Sequence, residues 1–556
     1  MKQRNLIGAL LGMLLLGPNA GYGQALIATG TLDASGPDLS PQTAKPLENG
    51  TPGNLFGGIG SGLAFAGGDR FVAVPDRGPN AVPYNDCIDD TASYITRFHD
   101  LRLRLVPSTA PGLPFELKPS LEATTLMASA TALTYGDGLT GCPTVPDGAP
   151  RMNKRGTFYF TGRSDNFGPG LSTNSSNARF DPESVRLSRD GKSIFVSDEY
   201  GPYIYRFDRT SGLRTAVYTL PDKFAVSYLS AQGDVEIDFT NNPIGRVANK
   251  GMEGLAITPD DSTLVGIMQS ALEQDGGDNT GQVVRIITID VDSGAMLHEY
   301  AYPTDTDKKY TVSDIVAVTN DVFLVDERDG KGFADVPGSE ARFKKLFLID
   351  LSEATDVTLV EGHDALAAAA VPKKLFLDVV KELTKSPANG GLGLTKTQIP
   401  AKLEGLAFGQ DVLVGDTMKH TLFIANDNDF LPTFDGRPNR TSSMYSRLET
   451  PICNARSEMR LTRHSGCSHR CSRRSDRLRY GASCGGGALD KIVDVPASPR
   501  PPRRFVVDVP ASPRPPRRFV HQRALGPARR PGGRHGARMS PARHWRTPCN
   551  VDANAV

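Results

Sequence analysis

The stretch "DPESVRLSRDGKSIFVSDEYGP", residues 181–202, decides the fold. Two short, mostly apolar runs, 185–187 and 194–196, flank the turn-forming pair Asp190-Gly191. Carboxylates stand at both ends: Asp181 and Glu183 before the first run, Asp198 and Glu199 after the second. Apolar runs of this length around an Asp-Gly turn make a β-hairpin. The two arms of a hairpin bring its ends to the same side of a sheet, so these acids are expected to lie together.

The pattern recurs along the chain. It reads "SGLAFAGGDRFVAVPDRG" from Ser61, "EGLAITPDDSTLVGIMQSA" from Glu253, "SDIVAVTNDVFLVDERDG" from Ser313 and "EGLAFGQDVLVGDTMKHTLFIANDND" from Glu404, with a weaker copy, "GTFYFTGRSDNFG", from Gly156. Further strands such as "PYIYRFD" and "VVRIITIDVDSG" follow some copies. Four-stranded units repeated radially make a β-propeller, so the fold class is all-β and the count predicts six blades. A stacked β-solenoid is the alternative, with a shorter and stricter period. The stretch "EGHDALAAAAVPKKLFLDVVKEL" from Glu361 reads as a short helical insertion between blades.

The charge is divided unevenly. Residues 451–556 hold 21 Arg and 1 Lys against 6 acidic residues, while the whole chain carries a formal charge of only +1, so the preceding body is strongly acidic. An acidic body argues against nucleic acid as its partner and is compatible with cations. The first 23 residues, with Lys2, Arg4 and an apolar stretch too short to span a membrane, read as an export signal to the periplasm or medium. No later segment reaches a spanning length. The domain plan is therefore a leader (1–23), a propeller (24–440) and a basic tail (441–556). The tail, in which "VDVPASPRPPRRFV" occurs twice in succession, reads as disordered; a shifted reading frame also accounts for it, and no function is assigned to it. In the body only Cys87 and Cys142 are cysteines, and in an oxidising compartment they either pair or remain two thiols.

The pieces "SGLAF…DRFVAVPDRGP", "DPESVRLSRDGKSIFVSDEYGPYIYRFD", "NKGMEGLAITPDDSTLV" and "KLEGLAFG…LFIANDNDF" resemble the phytase-like family, described by the esterase-like activity of phytase. The resemblance runs from about residue 55 to 430. It implies an exported β-propeller hydrolase of phosphate or carboxylate esters. The sequence departs from the family after "NDNDF", where a closing strand is expected and "LPTFDGRPNRTSSMYSRLET" stands instead.

Several chemistries are disfavoured by the residues themselves. No G-x-S-x-G elbow occurs, and His99, His298, His363 and His420 share no local motif, which gives a serine triad little support. "DGKS" at 190–193 lacks the upstream glycine of a phosphate loop, and neither "DGGDNTG" nor "NDND" has EF-hand spacing. The acids of the repeats remain. Glu183, Glu253 and Glu404 open three copies and are the expected catalytic ring. Asp76, Asp198, Glu199, Asp326, Glu327 and Asp427 close second strands and are the expected ligands of calcium, which accepts six to eight oxygens. Arg77, Lys250 and Arg328 are the expected anion contacts. The expected substrate is a small phosphate or carboxylate ester, with a lactone as a variant; the rival reading is a propeller that binds a ligand or protein without catalysis. Oligomeric state is not legible.

Overall fold

The computed structural model of the chain describes residues 24–448, apart from 81, 83, 110–111, 137–147, 237–239, 278–281, 306–309, 415–416 and 440. In the decisive stretch, Pro182–Leu187 pairs antiparallel with Ser193–Asp198. Their turn is closed by the Ser188 N–H on the Ser193 carbonyl at 3.0 Å, and Asp190 Oδ1 accepts from Ser188 Oγ (2.7 Å) and the Lys192 N–H (3.0 Å). Gly191 sits at φ +70°, where a residue with a Cβ is strained by roughly 1–2 kcal/mol. Tyr203–Asp208 and Arg214–Thr219 complete a four-stranded antiparallel sheet.

Five such sheets are present among the described residues. Sheet 1 comprises Gly62–Phe65, Arg70–Val74, Arg97–Pro107 and Phe115–Leu126. The sheet just described is sheet 2. Sheet 3 comprises Met252–Ile257, Thr263–Met268, Val283–Asp290 and Met296–Pro303. Sheet 4 comprises Thr311–Ala317, Val322–Arg328, Lys344–Asp350 and Lys373–Asp378. Sheet 5 comprises Leu403–Val414, Thr417–Asn426 and Thr441–Leu448, completed by Ala25–Leu32 from the other end of the body. First strands pack in chain order and the fifth returns to the first, so the sheets close a ring: the fold is a β-propeller. Apolar side chains fill the seams; Phe71 of sheet 1, for example, meets Phe423 of sheet 5 with ring centroids 4.4 Å apart.

Three expectations are corrected. The described residues hold five four-stranded sheets, not six, because the weak copy from Gly156 contributes only Phe158–Tyr159, paired with Ala128–Ser129. Gly162 in that copy approaches the Arg77 carbonyl so closely that a Cβ would lie 1.7 Å from it, so the segment is a tightly packed connection between sheets 1 and 2. The insertion from Glu361 is only partly helical: His363–Ala368 and Val379–Thr384 are short helices, and Lys373–Asp378 between them is the outer strand of sheet 4. Pro372 ends any continuous helix there, and the following residues pair with 345–349. Finally, the closing strand thought missing is Thr441–Leu448, just past the boundary drawn at 440, and pairing it with Ala25–Leu32 ties the ring from both ends. The leader, the tail from 449 and Cys142 lie outside the described residues; Cys87 is disulfide-bonded.

The channel owes its form to bulges. Register shifts fall at the start of the first strand in sheets 2 to 5, at Pro182/Val185, Met252/Gly254, Val312/Asp314 and Leu403/Leu406. The extra residue of a bulge re-aims side chains that strict alternation would send to the other face. Glu183, Glu253, Ser313 and Glu404 form one layer, followed by Ser184, Gly254, Asp314 and Gly405. A Cβ on Gly254 would come within 2.9 Å of the Asp314 backbone, so the glycine lets Asp314 approach closely at the axis. Its carboxylate accepts from Arg186 Nη2 at 2.9 Å to each oxygen, from Ser184 Oγ at 2.9 Å, and from the N–H groups of Ile315 and Leu406 at 2.8 Å. It also accepts from the Leu255 N–H at 3.4 Å, while Arg186 donates to the Leu63 carbonyl at 2.9 Å. This one ion pair touches the first strand of every sheet.

A buried histidine on sheet 1 sets an acid limit. His99 is buried against Phe56, with Nδ1 3.0 Å from Thr124 Oγ1 and no partner for Nε2. Burial, with Arg97 adding to it and Asp38 opposing, lowers its pKa from 6.5 to about 3. The unfolded chain therefore takes up a proton near pH 6.5 that the folded chain refuses until about pH 3. Stability is expected to fall across that window as pH drops, by about 1.4 kcal/mol per unit at most. His99→Gln should flatten the fall, as measured by denaturant unfolding at pH 7, 5.5 and 4. A slope unchanged by the substitution would assign the acid loss to other groups.

Candidate functional site

Four first or second strands deliver carboxylates to one cavity. Glu183 and Glu253 come from the bulges of sheets 2 and 3, Glu404 from that of sheet 5, and Glu199 follows the second strand of sheet 2. Together with Asp76, Arg77, Lys250, Arg328 and Lys402 they line a cavity of about 440 Å³, whose remaining wall includes Asn249, Gln269, Ser270 and Tyr310. Three overlapping sets each offer one oxygen per residue, all within 4.8 Å of one another: Asp76/Asp181/Glu183, Glu183/Glu199/Glu253 and Asp76/Asp427/Asp429. Glu183 and Asp76 are each shared by two sets.

Cations interleave with these acids. Arg77 pairs with Asp181 and lies 3.8 Å from Asp76 and 3.7 Å from Glu199. Arg328 pairs with Glu404, reaches Glu253 at 4.0 Å and is anchored by its Nε on Ser313 Oγ at 2.7 Å. Lys402 pairs with Asp429 and lies 3.3 Å from Asp427 and 3.9 Å from Asp76. With Lys250, four cations face eight carboxylates, most of them buried, an excess of negative charge.

The protonation equilibria register that excess. Burial drives the Glu183 carboxyl well above its usual range, and Glu253, Asp181 and Glu199 push it the same way. Burial, then Glu199 and Glu404, do the same to Glu253 against the opposing pull of Arg328. Glu199 is raised as well, again first by burial. Asp76 goes the other way: burial would raise it, but Arg77 and Lys402 prevail and hold it low. Two oxygens in the cluster, Glu253 Oε2 and Asp181 Oδ1, are buried without a hydrogen-bond partner. A buried oxygen of that kind costs about 1–3 kcal/mol unless something satisfies it. The donor set is all oxygen, as hard cations such as calcium require.

Of the expected residues, Asp76, Arg77, Glu183, Glu199, Lys250, Glu253, Arg328 and Glu404 share the cavity, and Asp427 stands beside it at Lys402. Three do not join them. Asp198 turns to the backbone, accepting the N–H groups of Asp181 and Tyr200 at 3.0 Å each, and burial raises its pKa to about 7. Asp326 is buried along sheet 4, off the cavity wall, with its pKa pushed up by burial. Glu327 faces the rim, where it takes the Tyr302 O–H, the Lys373 ammonium and the Asp305 N–H (3.0 Å) and so ties sheets 3 and 4 together. Asp181 is expected to lie with Glu183 but has no expected role in the site, and Lys402 and Asp429 are not among the expected site residues. Asp181 and Lys402 each stand two residues before an opening glutamate, a spacing that repeats and could have flagged them.

The model of the phytase-like family, described as the esterase-like activity of phytase, matches residues 54–430. The chain belongs to this family. The matched span contains every cavity residue named above. The phytase-like chain is also 30% identical over 250 residues to an uncharacterized secreted protein of Arthroderma benhamiae, an overlap of 40% of this chain and 46% of the relative. It thus spans about half the length of that relative. Among solved structures, the PQQ-bound aldose sugar dehydrogenase of Streptomyces coelicolor is 12% identical over 78% of this chain and 100% of its own, with a TM-score of 0.28. The Myceliophteria thermophila Cps50 (Swd1) β-propeller domain is 11% identical over 44% of this chain and 50% of its own, with a TM-score of 0.18. At such scores neither bears on chemistry. Among the described residues no helix is long and apolar enough to cross a membrane.

Proposed function

We propose that the chain is an exported, calcium-dependent hydrolase of phosphate or carboxylate esters. The observation that carries this reading is the convergence of Glu183, Glu199 and Glu253 within 4.8 Å, buried, with a partnerless Glu253 oxygen among them. Carboxylates this close repel one another by several kcal/mol unless protonated or bridged by a cation. These three residues would hold calcium, which would supply Lewis-acid polarisation of an ester oxygen. Glu404, which lines the same cavity but is not one of these three, is the general base that takes the proton of the attacking water. Arg328, fixed by Ser313, orients Glu253 and Glu404; Arg77 and Lys250 face the negative oxygens of the substrate. Asn249, Gln269 and Ser270 offer hydrogen bonds to its remaining polar groups. Export is supported by the amino-terminal pattern and by the secreted relative.

The test is hydrolysis of phytate and of a chromogenic ester panel by the purified mature chain. Activity is expected to fall to background with a calcium chelator and to return on adding calcium. Activity indifferent to chelation would remove the metal chemistry, and failure on every substrate with calcium present would favour a binding protein.

A further inference from the structure

The three acid sets do not have equal need of an ion. Arg77 sits in the first: its guanidinium pairs with Asp181 and lies 3.8 Å from Asp76. Lys402 sits in the third, paired with Asp429, 3.3 Å from Asp427 and 3.9 Å from Asp76. Among the described residues no side-chain cation is placed within the second set in this way. Arg77 reaches only Glu199 at 3.7 Å, Arg328 reaches only Glu253 at 4.0 Å while bound to Glu404, and Glu253 Oε2 is left buried and partnerless.

The repeat shows how this came about. Asp181 and Lys402 occupy equivalent places, two residues before Glu183 and Glu404, yet carry opposite charges. In sheet 2 the place adds a carboxylate to the cluster; in sheet 5 it adds an ammonium. An ammonium among three carboxylates satisfies the same electrostatic demand as a metal ion but cannot dissociate. From this we propose that the centre is mononuclear: Arg77 and Lys402 are tethered cations in the two outer sets, and one divalent ion binds among Glu183, Glu199 and Glu253. Lys402 is then the residue that keeps a second ion out. The inference rests on the cation-binding reading above and deepens it.

Calcium binding to the chelator-stripped full chain, measured by isothermal titration calorimetry, tests it. The native chain should bind one calcium that Glu253→Gln abolishes and Asp429→Asn leaves in place. Lys402→Met should bind two, and the double variant Lys402→Met/Asp429→Asn should return to one. A native chain that binds two calcium ions sensitive to Glu253→Gln or Asp429→Asn would overturn the proposal. So would a Lys402→Met chain that melts normally and still binds one. Should Lys402→Met not fold, Lys402→Gln replaces it, and the Asp429→Asn arm decides independently of either. A native chain that folds and binds no calcium at all would instead sink the cation-binding reading and this inference with it.

Discussion

Replacing Asp314 by alanine should destabilise the propeller by about 3–5 kcal/mol, the effect of leaving one member of a buried ion pair without its partner. Arg186 would keep its charge on the propeller axis, with only the Leu63, Val185 and Ile315 carbonyls as acceptors. The N–H groups of Ile315 and Leu406 and the Ser184 hydroxyl would lose their acceptor at the same stroke. Because the pair touches all five first strands, the loss is expected in global unfolding by denaturant, not in local fraying. Asp314→Asn keeps an acceptor oxygen and should cost less. The double variant Arg186→Met/Asp314→Asn removes both charges and should show coupling of at least about 1 kcal/mol in a double-mutant cycle. A loss below about 1 kcal/mol for Asp314→Ala would mean that water screens the pair and that the axis is wet.

The same residue shows where sequence reading reached its limit. Asp314 opens a repeat just as Glu183 and Glu253 do, but it stands one place later in the pattern, after Ser313. Period-two alternation would send neighbours to opposite faces, and nothing in a single repeat signals that a bulge lets both Ser184 and Glu183 serve the channel. The hairpins themselves were legible because their turns are chemically explicit, as at Asp190-Gly191. The opening glutamates were legible for a related reason: they sit at the same offset in several repeats. The closing pairs were not. Of Asp198 and Glu199, one must turn inward and one must not, and the choice is made by backbone amides at Asp181 and Tyr200 that capture Asp198. At Asp326 and Glu327 neither lines the cavity, and the next residue, Arg328, does. The sixth blade failed for a different reason: "GTFYF" has the strand composition, but only Phe158–Tyr159 pairs, and the chain then packs its backbone at Gly162 against Arg77.

Glu183→Gln should move activity and stability in opposite directions. Glu183 belongs to two of the three acid sets, so losing its charge weakens every arrangement in which an ion could be held there. Hydrolysis is expected to drop on the order of 10²-fold or more, since even outer-shell partners of a metal site typically cost 10–100-fold. Excess calcium should recover part of that loss if the residue acts as a ligand. Glu404→Gln, by contrast, removes the proposed base and should lose about 10²–10⁴-fold in kcat without rescue. The calcium-free chain should respond oppositely. Glu183 is buried beside Asp181, Glu199 and Glu253, all of which disfavour its charged form, and an amide of the same shape removes that repulsion. Calcium-free Glu183→Gln is therefore expected to unfold at higher denaturant, by roughly 0.5–2 kcal/mol, the usual gain when a strained functional site is relaxed. The native chain should instead gain stability on adding calcium, by about 2.7 kcal/mol at a hundredfold excess over its Kd, and the variant should lose most of that increment. A variant that is less stable than the native chain without calcium, or that keeps the full calcium increment, would show that Glu183 is held by partners other than a cation and would take the site apart at its centre.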